Sequence, residues 1–501
     1  MSENTQTRRE FLKGAGALAA GMALGARLPV FADEPRKKPN VIFVFADQLR
    51  SCALGCYGDK QARTPNIDRL ASEGARFTNG ISTWPVCSPF RAMLLTGRYP
   101  MSNGVVYNDY PIWDGQESIA TALKAQGYQT GYIGKWHLSG GIPDTATGRR
   151  LGFDYWMPAQ VQMLSRGPDG KQVWRPEVQT EHAVKYIKEH ADKPFCLFMS
   201  WNPPHNPYIA PDEYMKQFPK EKIQFRPNVA ERELVDEQLR KHPIQPGSEK
   251  NRADWRKIID SDDELRGILS GYYAATHGLD VCIGRIMKTL EDAGIADDTI
   301  LVFSSDHGDM IGSHRMCLKQ EPFEESISIP FIVRYPNRIP KGTVTDALLS
   351  PIDMMPTVLG LAGAPIPSGV EGISIADAAL DKGSNQQDAV LIMKMQPGGG
   401  PWVINAATPW RGVRTKTHTY ARFEDGGPWI LYDNKSDPYQ MKNLVNDPAH
   451  KGLRDEMEAK MKVLLEKAHD PFDSKAIVKY IAKQSKTRLK TPVKRPSGGE
   501  G

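Results

Sequence analysis

Trp84-Pro-Val-Cys87-Ser-Pro89-Phe-Arg91-Ala-Met-Leu-Leu-Thr-Gly97-Arg98 is the stretch in which residue types and spacing most clearly permit chemistry. Proline is favoured in the first turn of a helix and glycine just past its end, so Ser88 and Pro89 open a helix that Gly97 stops. Cys87 then stands at the helix entrance, where unpaired backbone N–H groups favour negative charge, and Arg91 lies one turn along the same face. Local geometry alone brings together a nucleophile, an anion-stabilising helix end and a fixed cation. Two carboxylates have an equally defined setting. Residues 41–46 and 300–305 are continuous apolar runs, the pattern of strands covered on both faces, and they end abruptly in Asp47 and Asp306.

The elements that must position these groups alternate along the chain. Further strands are expected at 128–133, 195–201 and 330–334, with helices at 66–74, 118–127, 181–190, about 263–293, and 351–363. This order implies an α/β fold with a large, mostly parallel sheet flanked by helices on both sides. Ligands collect beyond the carboxyl ends of such strands, where Asp47 and Asp306 fall. From about residue 389 the pattern changes to short strands (412–422, 429–432) and an amphipathic helix (453–469). The reading is a catalytic region at 33–388, a smaller C-terminal α+β domain at 389–475 and a basic flexible tail at 476–501.

Cys87-Ser-Pro-Phe-Arg91 with Thr96-Gly97-Arg98 resembles the signature of formylglycine-dependent (type I) sulfatases of the alkaline phosphatase superfamily. Gly134-Lys135-Trp136-His137-Leu138 is similar to their second signature, and Asp47, Thr64-Pro65-Asn66, Pro204-His205, Asp306-His307-Gly308 and Lys319 agree in order. The resemblance implies that Cys87 is oxidised to formylglycine by a maturation enzyme before export. The hydrated aldehyde carries two hydroxyls, one to attack sulfur and one to release sulfate afterwards. It further implies a divalent cation held by Asp47, Gln48, Asp306, His307 and the modified Cys87. Calcium is the expected ion, with manganese or zinc open because an imidazole is atypical for calcium. Arg91, Lys135 and Lys319 are expected to neutralise the sulfate oxygens, His137 to assist the diol proton transfers, and His205 to act as general acid on the leaving oxygen. Lys135, His205 and Lys319 also count as substrate contacts. His314, seven residues beyond His307 and so two helical turns along, joins them as a weaker candidate.

Three positions depart from the family pattern. Phe90 replaces a small residue, Gln48 replaces an Asp and His307 replaces an Asn. The Asp47-Gln48 and Asp306-His307 pairs also resemble phosphonate monoester and phosphodiester hydrolases of the same superfamily, which is the alternative reading; a non-catalytic sulfated-glycan-binding protein is another. Trp156, Trp174 and Trp255 are available to stack on sugars. The expected function is hydrolysis of sulfate esters of carbohydrates or aryl-type substrates.

With 501 residues, 40% hydrophobic and 25% charged, the chain is neither disordered nor a many-pass membrane protein. Its formal charge of +5 resides at the ends, leaving a mildly acidic body unsuited to nucleic acid. Arg8-Arg9 with Phe11-Leu12-Lys13, the apolar residues 14–26 and Val30-Phe31-Ala32 read as a twin-arginine signal peptide at 1–32. The apolar run is too short for a stable membrane anchor, which takes about 20 residues. A bacterial periplasmic or secreted enzyme is expected, passing through the twin-arginine translocation machinery. Six cysteines without metal-ligand spacing are by default small buried residues.

Overall fold

The computed structural model describes residues 38–140, 149–158, 163–166, 169–241, 257–383, 387–396 and 408–489. The signal segment, Trp255 and the last twelve residues lie outside them. Among the described residues no helix is long and apolar enough to cross a membrane.

Fourteen strands follow in chain order among the described residues. They are β1 (Asn40–Asp47), β2 (Ala75–Ile81), β3 (Gln129–Gly134), β4 (Tyr155–Pro158), β5 (Leu164–Arg166), β6 (Gln172–Trp174), β7 (Phe195–Pro204), β8 (Thr299–Ser305), β9 (Ser328–Arg334), β10 (Thr343–Leu349), β11 (Ala389–Lys394), β12 (Trp410–Thr415), β13 (His418–Phe423) and β14 (Pro428–Asp433). Eight form one sheet in the order β10-β2-β9-β8-β1-β7-β3-β4. Only β9 runs antiparallel to its neighbours, β2 and β8, so the large sheet is mixed but mostly parallel.

β1 lies between β8 and β7 and every residue in it is buried. That position explains the continuous apolar run: alternate side chains serve two separate cores. Ile42, Val44 and Ala46 pack with the Asp262–Asp292 helix, whereas Val41, Phe43 and Phe45 pack with the helices Cys87–Thr96 and Pro351–Ala362. The long helix starts at Ser261, whose hydroxyl accepts from the Glu264 N–H, and three acids occupy its first turn.

β11 to β14 form a separate antiparallel sheet. Residues 412–422, expected as one strand, are a hairpin turning between β12 and β13. Val390, Ile392 and Trp410 share a core with Ile81 and Leu348 of the large sheet. From Pro39 onward the chain accordingly clusters as one compact unit.

The expected flexible tail needs correction over residues 476–488. A helix spans Ser474–Arg488, capped by Asp473 accepting from the Ala476 N–H. Ile477 and Ile481, one turn apart, are buried, and the Trp113 indole N–H donates to Ser485 Oγ at 3.2 Å. The lysines that dominated the sequence reading lie on the other faces of an amphipathic helix. β2 and β10 were also missed, since their polar, half-exposed residues break the apolar run that reveals a central strand.

Candidate active site

Cys87 is the first residue of the Cys87–Thr96 helix, which ends at Gly97 with φ 63° and its N–H bonded to Met93 O. Phe90 points into the core under β1, where its ring lies 6.2 Å from Phe45, so it acts in helix packing. Arg91 takes the other direction and is fully buried.

Cys87 Sγ marks the place that the nucleophilic oxygens of a formylglycine would occupy. Around it stand His307 Nε2 at 3.3 Å and Asp47 Oδ1, Lys135 Nζ and Lys319 Nζ, each at 3.5 Å. Arg91 braces this floor. Its Nη2 donates to Asp47 Oδ2 at 2.8 Å and to Asp306 Oδ2 at 3.1 Å, and its Nη1 to Lys135 O and Ser200 Oγ. Lys135 Nζ lies 2.5 Å from Asp47 Oδ2.

The shifts in acidity follow from these neighbours. Burial works against ionising Asp47, yet the cations Lys135, Arg91 and Lys319 hold it well below the usual carboxylate range. Burial and the Asp47 charge push Asp306 upward. Burial and Asp47 also oppose a Cys87 anion, but Lys135, Lys319 and His307 outweigh them and hold its pKa far below an ordinary thiol. A position that stabilises negative charge this strongly suits a nucleophile.

Ligand atoms of Asp47, Cys87, Asp306 and His307 all lie within 4.8 Å of one another, the span of one coordination shell. Beside this cluster Gln48 accepts from Lys319 Nζ at its Oε1, 2.6 Å away, while its amide nitrogen donates to Asp309, so its oxygen points to the side from which Lys319 reaches Cys87 Sγ. Two carboxylates, an amide oxygen and an imidazole fit a divalent cation.

His205 and His137 also belong to the pocket. Burial and then Lys319 push His205 down to about 3, and its Nδ1 donates to Asn206 O at 2.7 Å, so its imidazole is neutral as it stands. Burial opposes a His137 imidazolium, but hydrogen bonds with Asp109 and Cys87 raise its pKa. His314 is different. No helix links it to His307, because the intervening chain turns through left-handed residues at Ile311 and at His314 itself. Its ring stacks on Phe323 at 4.2 Å and contacts Asn228 Nδ2, a packing role. Trp174 is buried in the core, and Trp156 packs at 4.8 Å from Trp136. All six cysteines are free thiols.

Residues the sequence reading missed support the ones it found. Ser88 Oγ donates to His137 O at 2.6 Å, Asn108 Oδ1 accepts from the Ser88 N–H, and Asp109 Oδ1 meets His137 Nε2 at 3.2 Å. Asp309 directly follows Asp306-His307-Gly308, and that adjacency is the signal that could have found it. Asn108 and Asp109 carried no sequence signal.

This arrangement has relatives of known structure. A structure bound to its substrate D-glucosamine-2-N,6-O-disulfate matches with a TM-score of 0.74 at 25% identity, covering 87% of this chain and 100% of the other. The phosphonate monoester hydrolase of Agrobacterium radiobacter matches with a TM-score of 0.72 at 22% identity, covering 86% and 96%. The fold is thus that of the alkaline phosphatase-like ester hydrolases. A "Sulfatase" family model matches residues 39–364, and one for the C-terminal region of N-sulphoglucosamine sulphohydrolase matches 312–467. An ulvan-active sulfatase of Formosa agariphila is 34% identical over 461 residues, 88% of this chain and 84% of the relative. The chain belongs to the sulfatase family and is a sulfuric ester hydrolase. A twin-arginine translocation signal matches residues 5–25, so the chain carries an export signal.

Proposed function

We propose that the protein is a periplasmic or secreted sulfatase acting on sulfated carbohydrate. Cys87, converted to formylglycine, is its nucleophile, and Asp47, Gln48, Asp306 and His307 hold a divalent cation. The observation that carries this reading is the convergence of His307, Asp47, Lys135 and Lys319 on Cys87 Sγ within 3.5 Å. The carbohydrate assignment draws on the relatives' substrates, a disulfated glucosamine and ulvan.

The hydrated aldehyde supplies two geminal hydroxyls, and the cation lowers the pKa of a bound oxygen and polarises the ester. Calcium is the expected ion, with manganese or zinc the alternatives that His307 favours. Lys135 and Lys319 flank the position of the nucleophile and neutralise the sulfate oxygens as the bond breaks. Arg91, locked between the two aspartates, keeps both carboxylates ionised and aimed at the metal position. His137, with Asp109 behind it, moves the diol proton. His205 faces the leaving oxygen; a sulfate ester between it and Lys319 offsets their repulsion, so its proton-donor role belongs to the loaded pocket.

The experiment has two arms. Peptide mass after co-expression with a maturation enzyme should show residue 87 lighter than cysteine by the thiol-to-aldehyde change. A panel of sulfated mono- and oligosaccharides should then be hydrolysed in preference to an aryl phosphonate and a phosphodiester. Gln48 and His307 favour the phosphorus esters as the second reading, and a higher kcat/KM on those substrates would replace the sulfatase proposal. An unmodified thiol in fully active protein would overturn the mechanism.

A further inference from the structure

Gln48 is held at every polar atom. Its backbone lies in the left-handed region at φ 71°, unusual for a residue with a Cβ. Its N–H donates to Asp306 Oδ1 at 2.9 Å, and its carbonyl oxygen accepts from Tyr272 Oη at 2.8 Å. Fully buried, its side-chain amide is caught between two charged groups of opposite hydrogen-bonding character. On one side is Lys319 Nζ, which only donates; on the other is Asp309, which as a carboxylate only accepts. The NH2 must therefore face Asp309, and Oε1 must face the pocket.

Asp309 is itself fixed. It is fully buried, its Oδ2 accepts from Tyr208 Oη at 2.7 Å as well as from Gln48, and its Oδ1 accepts from the Ile311 N–H at 3.2 Å. Three donors converge on it and favour its carboxylate form, although burial outweighs them and shifts its pKa upward. With a glutamate at position 48, one carboxyl oxygen would be forced against Asp309, so the two buried groups would repel or have to take up a proton between them. A carboxylate at position 48 is thus opposed by Asp309.

We infer that Asp309, braced by Tyr208, is a positioning residue that sets the amide of Gln48 with its oxygen toward the metal site, so that positions 48 and 309 work only as a matched pair. Gln with Asp is one solution. Glu with Asn is the other, because an asparagine amide at 309 can donate to a carboxylate at 48. Mismatched pairs leave either two carboxyl groups face to face or two amides face to face, with Lys319 alone left to hold the Gln48 oxygen in place. The inference rests on the proposed metal reading of Gln48 and adds the reason that a glutamine is there.

The test compares chelator-treated wild type, Gln48→Glu, Asp309→Asn and the double variant, titrated by calorimetry with CaCl2 and with MnCl2. Metal-free thermal melts run alongside to confirm folding. Each single variant is expected to bind about 10-fold or more weakly, the usual cost of losing the partner that orients a metal ligand. The double variant should recover to within a few-fold of wild type, a non-additive gain that a purely structural role would not produce. Tyr208→Phe should weaken binding by a smaller factor. Losses that simply add in the double variant, or a Gln48→Glu protein that binds like wild type, would overturn the pairing while leaving the metal reading intact. Absence of any saturable divalent site in wild type would instead sink the metal reading, and the pairing with it.

Discussion

Arg91 and Arg411 are fully buried arginines that meet fully buried aspartate side chains, one in each sheet region, and the two clusters are built differently. In the C-terminal sheet Arg411 meets Asp470 through Nε at 2.5 Å and Nη2 at 3.1 Å. Its Nη1 donates to Lys394 O and Trp410 O, and Phe472 covers the guanidinium at 4.9 Å. The charges match one to one. At the catalytic end Arg91 serves two aspartates at once, its Nε has no partner, and two lysines and a histidine crowd the same carboxylates around one thiol. A closed pair holds a fold together, whereas an overcrowded cluster is ready for further charge, which in the proposed function is a cation and an anionic ester.

Arginine removal at each site sharpens that contrast most. Arg91→Ala should lower kcat/KM on a sulfate ester by about 10³-fold, because both metal-facing carboxylates lose their brace and an electrostatic donor is lost. Arg411→Ala should instead cost stability, about 3–5 kcal/mol for an abandoned buried Asp470, while the specific activity of the folded fraction at 25 °C is retained. Melting curves and kinetics on both variants check the pair; equal loss of activity in the two would break the comparison.

Asp109→Asn tests whether the rim of the pocket behaves like its floor. Asp109 is half exposed and hydrogen-bonds His137, so kcat should fall about 10-fold with KM nearly unchanged, as expected for the loss of a group that orients a proton-transfer residue. Steady-state kinetics separate the two constants.

Glu321 gives the most pH-dependent effect. It is fully buried beside the loop that carries Lys319, and burial pushes its pKa up to about 8 against the opposing pull of Lys394. The unfolded chain releases this proton near 4.5, so stability is lost as pH rises from there to about 8. Glu321→Gln escapes that loss. Its melting temperature should match wild type below pH 4.5 and rise progressively above it toward pH 8, by an amount worth at most about 4 kcal/mol. A constant difference across the range would show that Glu321 does not titrate within it.

Much of the site could be read in the chain because its parts obey local rules. Proline and glycine bracket the helix that puts Cys87 at its entrance and Arg91 one turn on, and a strand buried on both faces must be apolar until it ends, at Asp47 and at Asp306. Where local patterning is weak, as in the polar strands β2 and β10, or where composition misleads, as in the lysine-rich helix Ser474–Arg488, the reading failed. His314 failed for a related reason: a spacing of seven means two turns only if the chain is helical between, and left-handed residues there turn it aside.

The sequence by itself determined which residues can attack, bind a cation and carry charge, because those properties belong to side-chain type and to neighbours a few positions away. Only the tertiary structure decided which of them face one another. Asp309 meets Gln48 across 261 positions and Asp109 meets His137 across 28, and such encounters follow from how strands and loops pack, which no local periodicity encodes.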